Sequence, residues 1–267
     1  MLLKDKVVLL TGAARGMGKA TALIMADEGA DIGVVDILPE VEGTAQEIKN
    51  KGVRSSAAIF DISDPMQVHE GVGKIRKELG NIDVLVNNAG IVNNIARLTK
   101  MTHAAWSREI AVNLTGAFNM IQEIIGPMIE KKWGRIINIS SIGATGGLHK
   151  QVGYSASKAG ILGLTKTVTL EHARDGITCN AILPGLIGTE LVNQMPEEIR
   201  QNALSTIPAF RLGQVEEVGY LVAFLASDRA GFINGAEISI DGGMRLYMGS
   251  LGSREEIRKR DLLKRQA

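Results

Sequence analysis

Short apolar runs recur along the first two-thirds of this chain, each followed by a stretch with helical spacing. They fall at residues 7–10, 32–35, 57–60, 84–86, 136–139 and 177–182. Most are apolar on consecutive positions, as strands buried on both faces must be. Helical patterns occupy residues near 17–29, 39–51, 64–79, 103–131 and 153–174, and a seventh strand fits Glu237–Ile240. Strand–helix alternation at this spacing predicts an α/β fold with one doubly wound sheet of about seven parallel strands and helices on both faces. No linker, charge block or repeat interrupts it, so one domain over residues 1–243 is expected. Residues 184–212 break the rhythm, with prolines at 184, 196 and 208, and residues 244–267 form a tail that ends in basic residues.

Composition narrows the class. Thirty basic residues against 29 acidic ones exclude a broad cationic footprint, so no nucleic-acid partner is expected. No apolar run approaches the ~20 residues of a membrane span. The N-terminus lacks the long apolar region of a secretion signal, and the single cysteine, Cys179, fits a reducing compartment. These features predict a cytoplasmic protein with no membrane association. His69, His103, His149 and His172 are dispersed, so no metal is expected.

The first strand runs into Thr11-Gly12-Ala13-Ala14-Arg15-Gly16-Met17-Gly18 and then a helix. Glycines there allow a tight turn and the close approach of a pyrophosphate, and the helix offers unpaired N–H groups. The spacing G-x-x-x-G-x-G differs from the general G-x-G-x-x-G dinucleotide fingerprint. Asp36 ends the second strand 24 residues beyond Gly12, where a carboxylate can accept from ribose hydroxyls. Further on, Tyr154 and Lys158 stand at i and i+4 on a helix whose first turns carry small residues. An ammonium beside a phenol favours the phenolate, which suits a general base near neutral pH. Ser140-Ser141 end the fifth strand just upstream, at the edge where open α/β sheets bind ligands.

The ordered set TGAARGMG, Asp36, Asp61, Asn87-Asn88-Ala89-Gly90, Asn113, Ser141, Tyr154-x-x-x-Lys158 and Pro184-Gly185 with Thr189 resembles the short-chain dehydrogenase/reductase family. The resemblance runs from about residue 5 to 243. It implies an NAD(P)-dependent alcohol dehydrogenase or ketoreductase. Tyr154 would be the acid/base and Ser141 would hydrogen-bond the substrate oxygen. Lys158 would tune the tyrosine and bind the nicotinamide ribose. Asn113 would bend its helix and hold a water in a proton relay. Gly12, Arg15, Gly16, Met17, Gly18, Asp36 and Ile37 would hold the dinucleotide. Asp61 and Ile62 would meet the adenine, Asn88-Ala89-Gly90 the adenosine half, and Pro184, Gly185, Ile187 and Thr189 the nicotinamide end.

NAD is the expected cofactor. Asp36 would repel a 2′-phosphate, although Arg15 points towards NADP. The resemblance puts the substrate between Ser141, Ile142, Leu148, His149, Gln151, Tyr154, Leu186, Leu191, Val192 and Met195, with Asn93 and Asn94 at the opposite rim. That mostly apolar set predicts a small or medium neutral alcohol or ketone, alicyclic or aromatic. Segment 184–212 would be its lid. The alternatives are a 3-oxoacyl thioester on carrier protein or coenzyme A, and a non-catalytic dinucleotide-binding sensor. Reductases acting on the carrier generally offer basic residues and prefer the phosphorylated cofactor. Here Lys132 keeps one such place, while Asp175 stands where another basic residue would. The resemblance also implies a homotetramer, paired through helices 103–131 and 153–174 and through the last strand, with the tail at a subunit interface.

Overall fold

The computed structural model describes residues 1–92 and 94–246, the Leu191 side chain apart. The expectations at Asn93, at the Leu191 side chain and for the tail beyond residue 246 lie outside the described residues.

Seven parallel strands form one sheet: β1 (Val7–Thr11), β2 (Asp31–Asp36), β3 (Ser55–Ile59), β4 (Val84–Asn87), β5 (Gly134–Ile139), β6 (Ile177–Pro184) and β7 (Glu237–Ile240). Their order is β3-β2-β1-β4-β5-β6-β7. The chain leaves β1 for β2 on one side and returns to β4 on the other. A crevice therefore opens where the carboxyl ends of β1 and β4 diverge.

Among the described residues, ten α-helices connect the strands: α1 (Gly16–Asp27), α2 (Val41–Lys49), α3 (Pro65–Leu79), α4 (His103–Ile110), α5 (Gly116–Lys131), α6 (Gly143–Gly146), α7 (Val152–His172), α8 (Glu190–Asn193), α9 (Glu197–Ser205) and α10 (Val215–Ala226). Successive strand residues feed opposite cores. Val8 and Leu10 pack with α1, α2 and α10, while Val7 and Leu9 pack with α3 and α5. Both faces are thus buried, which accounts for the unbroken apolar runs.

Besides the short helices α6, α8 and α9, two elements depart from the sequence-based expectation. The single helix over 103–131 is α4 and α5 joined by a π-helical turn, Ala111–Thr115, centred on Asn113. Such turns change the direction of a helix without breaking it. Helix α10 was not expected at all. It starts with a capping box between Gln214 and Glu217 and lies along α1. Gly219 permits that approach, since a Cβ there would stand 2.6 Å from Ile24 Cδ1.

Candidate active site

The glycine turn after β1 is closed by contacts from the end of β4. Asn88 Nδ2 donates to the Thr11 and Gly12 carbonyls, both at 3.0 Å. Thr11 Oγ1 accepts from the Asn88 and Ala89 backbone N–H groups, both at 3.1 Å. Gly12 has φ +69°, and a Cβ on it would meet Ala89 Cα at 2.7 Å. A Cβ on Gly18 would drive into the Gly12 carbonyl oxygen. Gly16 has φ +58° and faces open space, with Thr189 Cγ2 as the nearest atom at 3.7 Å. Helix α1 begins there with no side-chain cap and no acidic residue in its first turn. Its leading N–H groups are free to meet an anion.

This turn forms one wall of a cleft of about 470 Å³. Gly12, Arg15, Gly16, Met17, Gly18, Asp36, Ile37, Asp61, Ile62, Asn88, Ala89, Gly90 and Thr189 all line it. So do residues that the sequence reading did not single out, including Leu38, Phe60, Arg108, Val112, Glu190 and Gln194. Asp36 is aimed by two backbone donors, Ala14 N–H at 3.0 Å and Leu38 N–H at 3.2 Å. At the far end Asp61 is partly buried, which by itself would raise its pKa. Hydrogen bonds from Ser63 and the Arg108 guanidinium outweigh that and hold the carboxyl below the ordinary value. The volume, the glycine cradle and the uncapped helix fit an extended dinucleotide with its pyrophosphate over Gly16.

Tyr154, Lys158, Ser141 and Asn113 gather beyond the same end of the sheet. Lys158 is buried and its Nζ donates to the Ile139 carbonyl at 2.7 Å. The ammonium lies 5.8 Å from the centroid of the Tyr154 ring. Loss of hydration lowers the Lys158 pKa to about 8. The Tyr154 phenol does not show the depressed pKa that the Tyr/Lys spacing suggested. Burial raises it, and the hydrogen bond with Ser141 only partly opposes that. In a largely desolvated site burial favours the neutral phenol over the phenolate. Ser141 Oγ also accepts from Gly143 N–H at 3.0 Å, which orients the hydroxyl.

The Asn113 side chain is spent on Ile91 and Ser157. Its Oδ1 accepts from Ile91 N–H at 2.7 Å. Both amide hydrogens are taken, by the Ile91 carbonyl at 2.9 Å and Ser157 Oγ at 3.1 Å. Its amide N–H groups therefore hold the β4 exit loop and leave none for a water. Next to Tyr154, the buried Glu109 carboxylate packs where a Cβ on Gly153 would stand, and it accepts from Asn94 N–H at 3.3 Å.

The remaining expected residues are more scattered. Pro184 and Gly185 close β6, and Gly185 packs so tightly on Asp241 that a Cβ would lie 2.8 Å from its Cα. The Ile187 side chain is buried in the core, while Thr189 lines the cleft. Leu186 lines a separate small cavity of about 60 Å³ with Arg211 and Glu217. Ile142, Gln151, Val192 and Met195 are half-buried, while His149 and Lys150 are exposed. Cys179 is buried in β6, and its thiol is pushed up to about 12 by burial. That describes an inert core residue.

The family model for Enoyl-(Acyl carrier protein) reductase matches residues 12–245. A 3-oxoacyl-(acyl-carrier-protein) reductase of Thermotoga maritima is 42% identical over 245 residues, covering 91% of this chain and 99% of that protein. The chain belongs to the short-chain dehydrogenase/reductase family. An acetoacetyl-CoA reductase of Shinella zoogloeoides is 42% identical over 242 residues, covering 90% and 98% of the two chains. The structure of an NAD+-bound xylitol dehydrogenase superposes with a TM-score of 0.88 at 31% identity, covering 91% and 100%. As a member of this family the chain is an oxidoreductase that uses a nicotinamide dinucleotide. No helix among the described residues is long and apolar enough to cross a membrane.

Proposed function

We propose that this protein interconverts a neutral secondary alcohol and its ketone with NAD(H), using Tyr154 as acid and base. The observation that carries this reading is the Tyr154 phenol hydrogen-bonded to Ser141 beside the buried Lys158 ammonium. The nicotinamide dinucleotide supplies or accepts the hydride. In the reductive direction Tyr154 gives its proton to the ketone oxygen, so one hydride and one proton complete the alcohol. Ser141 holds that oxygen by a second hydrogen bond. In the oxidative direction the phenolate takes the hydroxyl proton, and Lys158 stabilises the anion. Asn113 is a positioning residue that fixes the loop at Ile91. Because burial raises the phenol pKa, reduction is favoured at neutral pH and below, and oxidation accelerates as pH rises.

NAD is favoured over NADP because Asp36 is held by two backbone donors and cannot swing away from a 2′-phosphate. Arg15 is exposed and can turn to solvent. A preference of at least about tenfold in kcat/KM, or ~1.4 kcal/mol, is expected.

A 3-oxoacyl thioester is the second reading, favoured by the substrates named for the two 42% identical relatives. Against an acidic carrier, Lys132 is paired with Asp175 at 2.5 Å, and Asp175 also meets His172 at 3.2 Å. That cation is largely neutralised, which leaves coenzyme A as the better thioester carrier. The protein is proposed to act in the cytoplasm as a homotetramer built through α4, α5, α7 and β7.

The test is a screen of secondary alcohols, ketones and 3-oxoacyl-CoA against both cofactors, in the wild type and Tyr154→Phe. The expected result is NAD-linked turnover that falls by roughly a thousandfold in the variant, with NAD affinity within twofold. Tight dinucleotide binding without turnover across the panel would favour the non-catalytic sensor.

A further inference from the structure

The far end of the cleft holds a cation whose place no motif explains. Arg108 lies in the last turn of α4, four residues before Val112, and both line the cavity. Arg108 Nη2 pairs with Asp61 Oδ2 at 2.7 Å, and Nη1 donates to Ser63 Oγ at 2.9 Å. Ser63 passes this on to Asp61 Oδ1, through its hydroxyl at 2.7 Å and its backbone N–H at 2.9 Å. The three residues form a closed ring in which every donor direction is assigned.

Two consequences follow from the geometry. A carboxylate offers about four acceptor positions, and three on Asp61 are filled, so the last lies on Oδ2 beside the guanidinium. The guanidinium itself is pinned at two nitrogens while its side chain stays 42% exposed, next to a cleft walled by Ile62 and Val112. A planar cation held rigid beside apolar walls is a surface on which an aromatic base stacks.

We propose that Arg108 is an adenine-recognition residue. It forms a wall for the base, and it sets Asp61 so that its one remaining acceptor position meets a single N–H of the base. A solvent-exposed ion pair alone stabilises a fold little, so the ring acts on the ligand more than on the fold. This rests on the dinucleotide binding of the family and does not depend on the identity of the alcohol.

The experiment is calorimetric titration of the full chain with NAD, ADP-ribose and nicotinamide hypoxanthine dinucleotide, in the wild type, Arg108→Met and Arg108→Lys. Arg108→Met should weaken NAD and ADP-ribose by about fivefold, the scale of one partly exposed cation–π contact. Arg108→Lys keeps the charge without the planar fork, and it should recover less than half of that loss. The wild type should prefer NAD to the hypoxanthine analogue, which lacks the exocyclic amine, and Arg108→Met should lose most of that preference. Its Tm should stay within ~2 °C of the wild type, which separates recognition from folding. ADP-ribose binding within twofold of the wild type in Arg108→Met would overturn the proposal. A wild type that binds no dinucleotide would instead overturn the reading on which it rests.

Discussion

The two halves of the cleft are built on different principles. On the β1–β4 side the backbone is packed at contact distance and tied by short side chains: Gly12 against Ala89, Gly18 against the Gly12 carbonyl, and the Asn88 amide across both turn carbonyls. The opposite side, residues 184–212, hangs on a few anchors. Thr189 caps α8, Ile187 and Gly213 form a lone parallel bridge, and Ile207 is buried. Between them α9 buries none of its residues, and Ile199 is 55% exposed. A wall made of touching backbone admits one ligand shape. A wall made of half-buried side chains on a weakly anchored segment can be altered without unfolding the protein.

Changes at the catalytic lysine and in the rigid glycine turn should be the costliest. Lys158→Met should lower turnover by roughly a thousandfold while making the cofactor-free protein more stable, by on the order of 1–3 kcal/mol at pH 7. The sign follows from a lysine whose pKa is about 8 in the fold against an ordinary 10.5. Between those values the unfolded chain binds more protons, so wild-type stability rises with pH. The gap between variant and wild type should therefore close as pH increases from about 8 to 10.5, as read by thermal melts across that range. A variant less stable than the wild type at pH 7 would show that the ammonium is better solvated than its burial implies.

Gly18→Ala comes next. The new methyl cannot be placed without moving the Gly12 carbonyl, and NAD affinity should fall roughly a hundredfold, or about 2.7 kcal/mol. Calorimetry giving a loss below tenfold would mean that the turn yields more than its contacts suggest.

The smallest effect belongs to segment 184–212. Met195→Ala removes a half-buried side chain just beyond α8. It should change the KM of a substrate about two- to fivefold, with Tm within ~1 °C and NAD affinity unchanged, because surface-like substitutions seldom move stability by more than ~0.5 kcal/mol. A large drop in Tm would erase the contrast between the two walls.

Much of this was legible in the chain because the signals were local. Apolar runs marked all seven strands, within one or two residues at their ends. The glycine spacing marked the turn, and Asp36 fell at the expected strand end. Helix α10 was missed, although Gln214 and Glu217 spell a capping box ahead of its apolar run. Short α9 gave no periodic signal, since a segment with no buried residue needs none.

What the sequence determined, then, was the sheet, the order of its helices and the residue types available to the site, because strand burial, turn chemistry and helical spacing all act within a few positions. What only the tertiary structure decided was how those residues use their bonds. Asn113 turned out to be committed to Ile91 and Ser157, Ile187 to the core, and the Tyr154 phenol to a raised pKa. Arg108 reached Asp61 from 47 positions away. Desolvation and hydrogen-bond partnership depend on which distant segments the fold brings together, and no spacing along the chain encodes them.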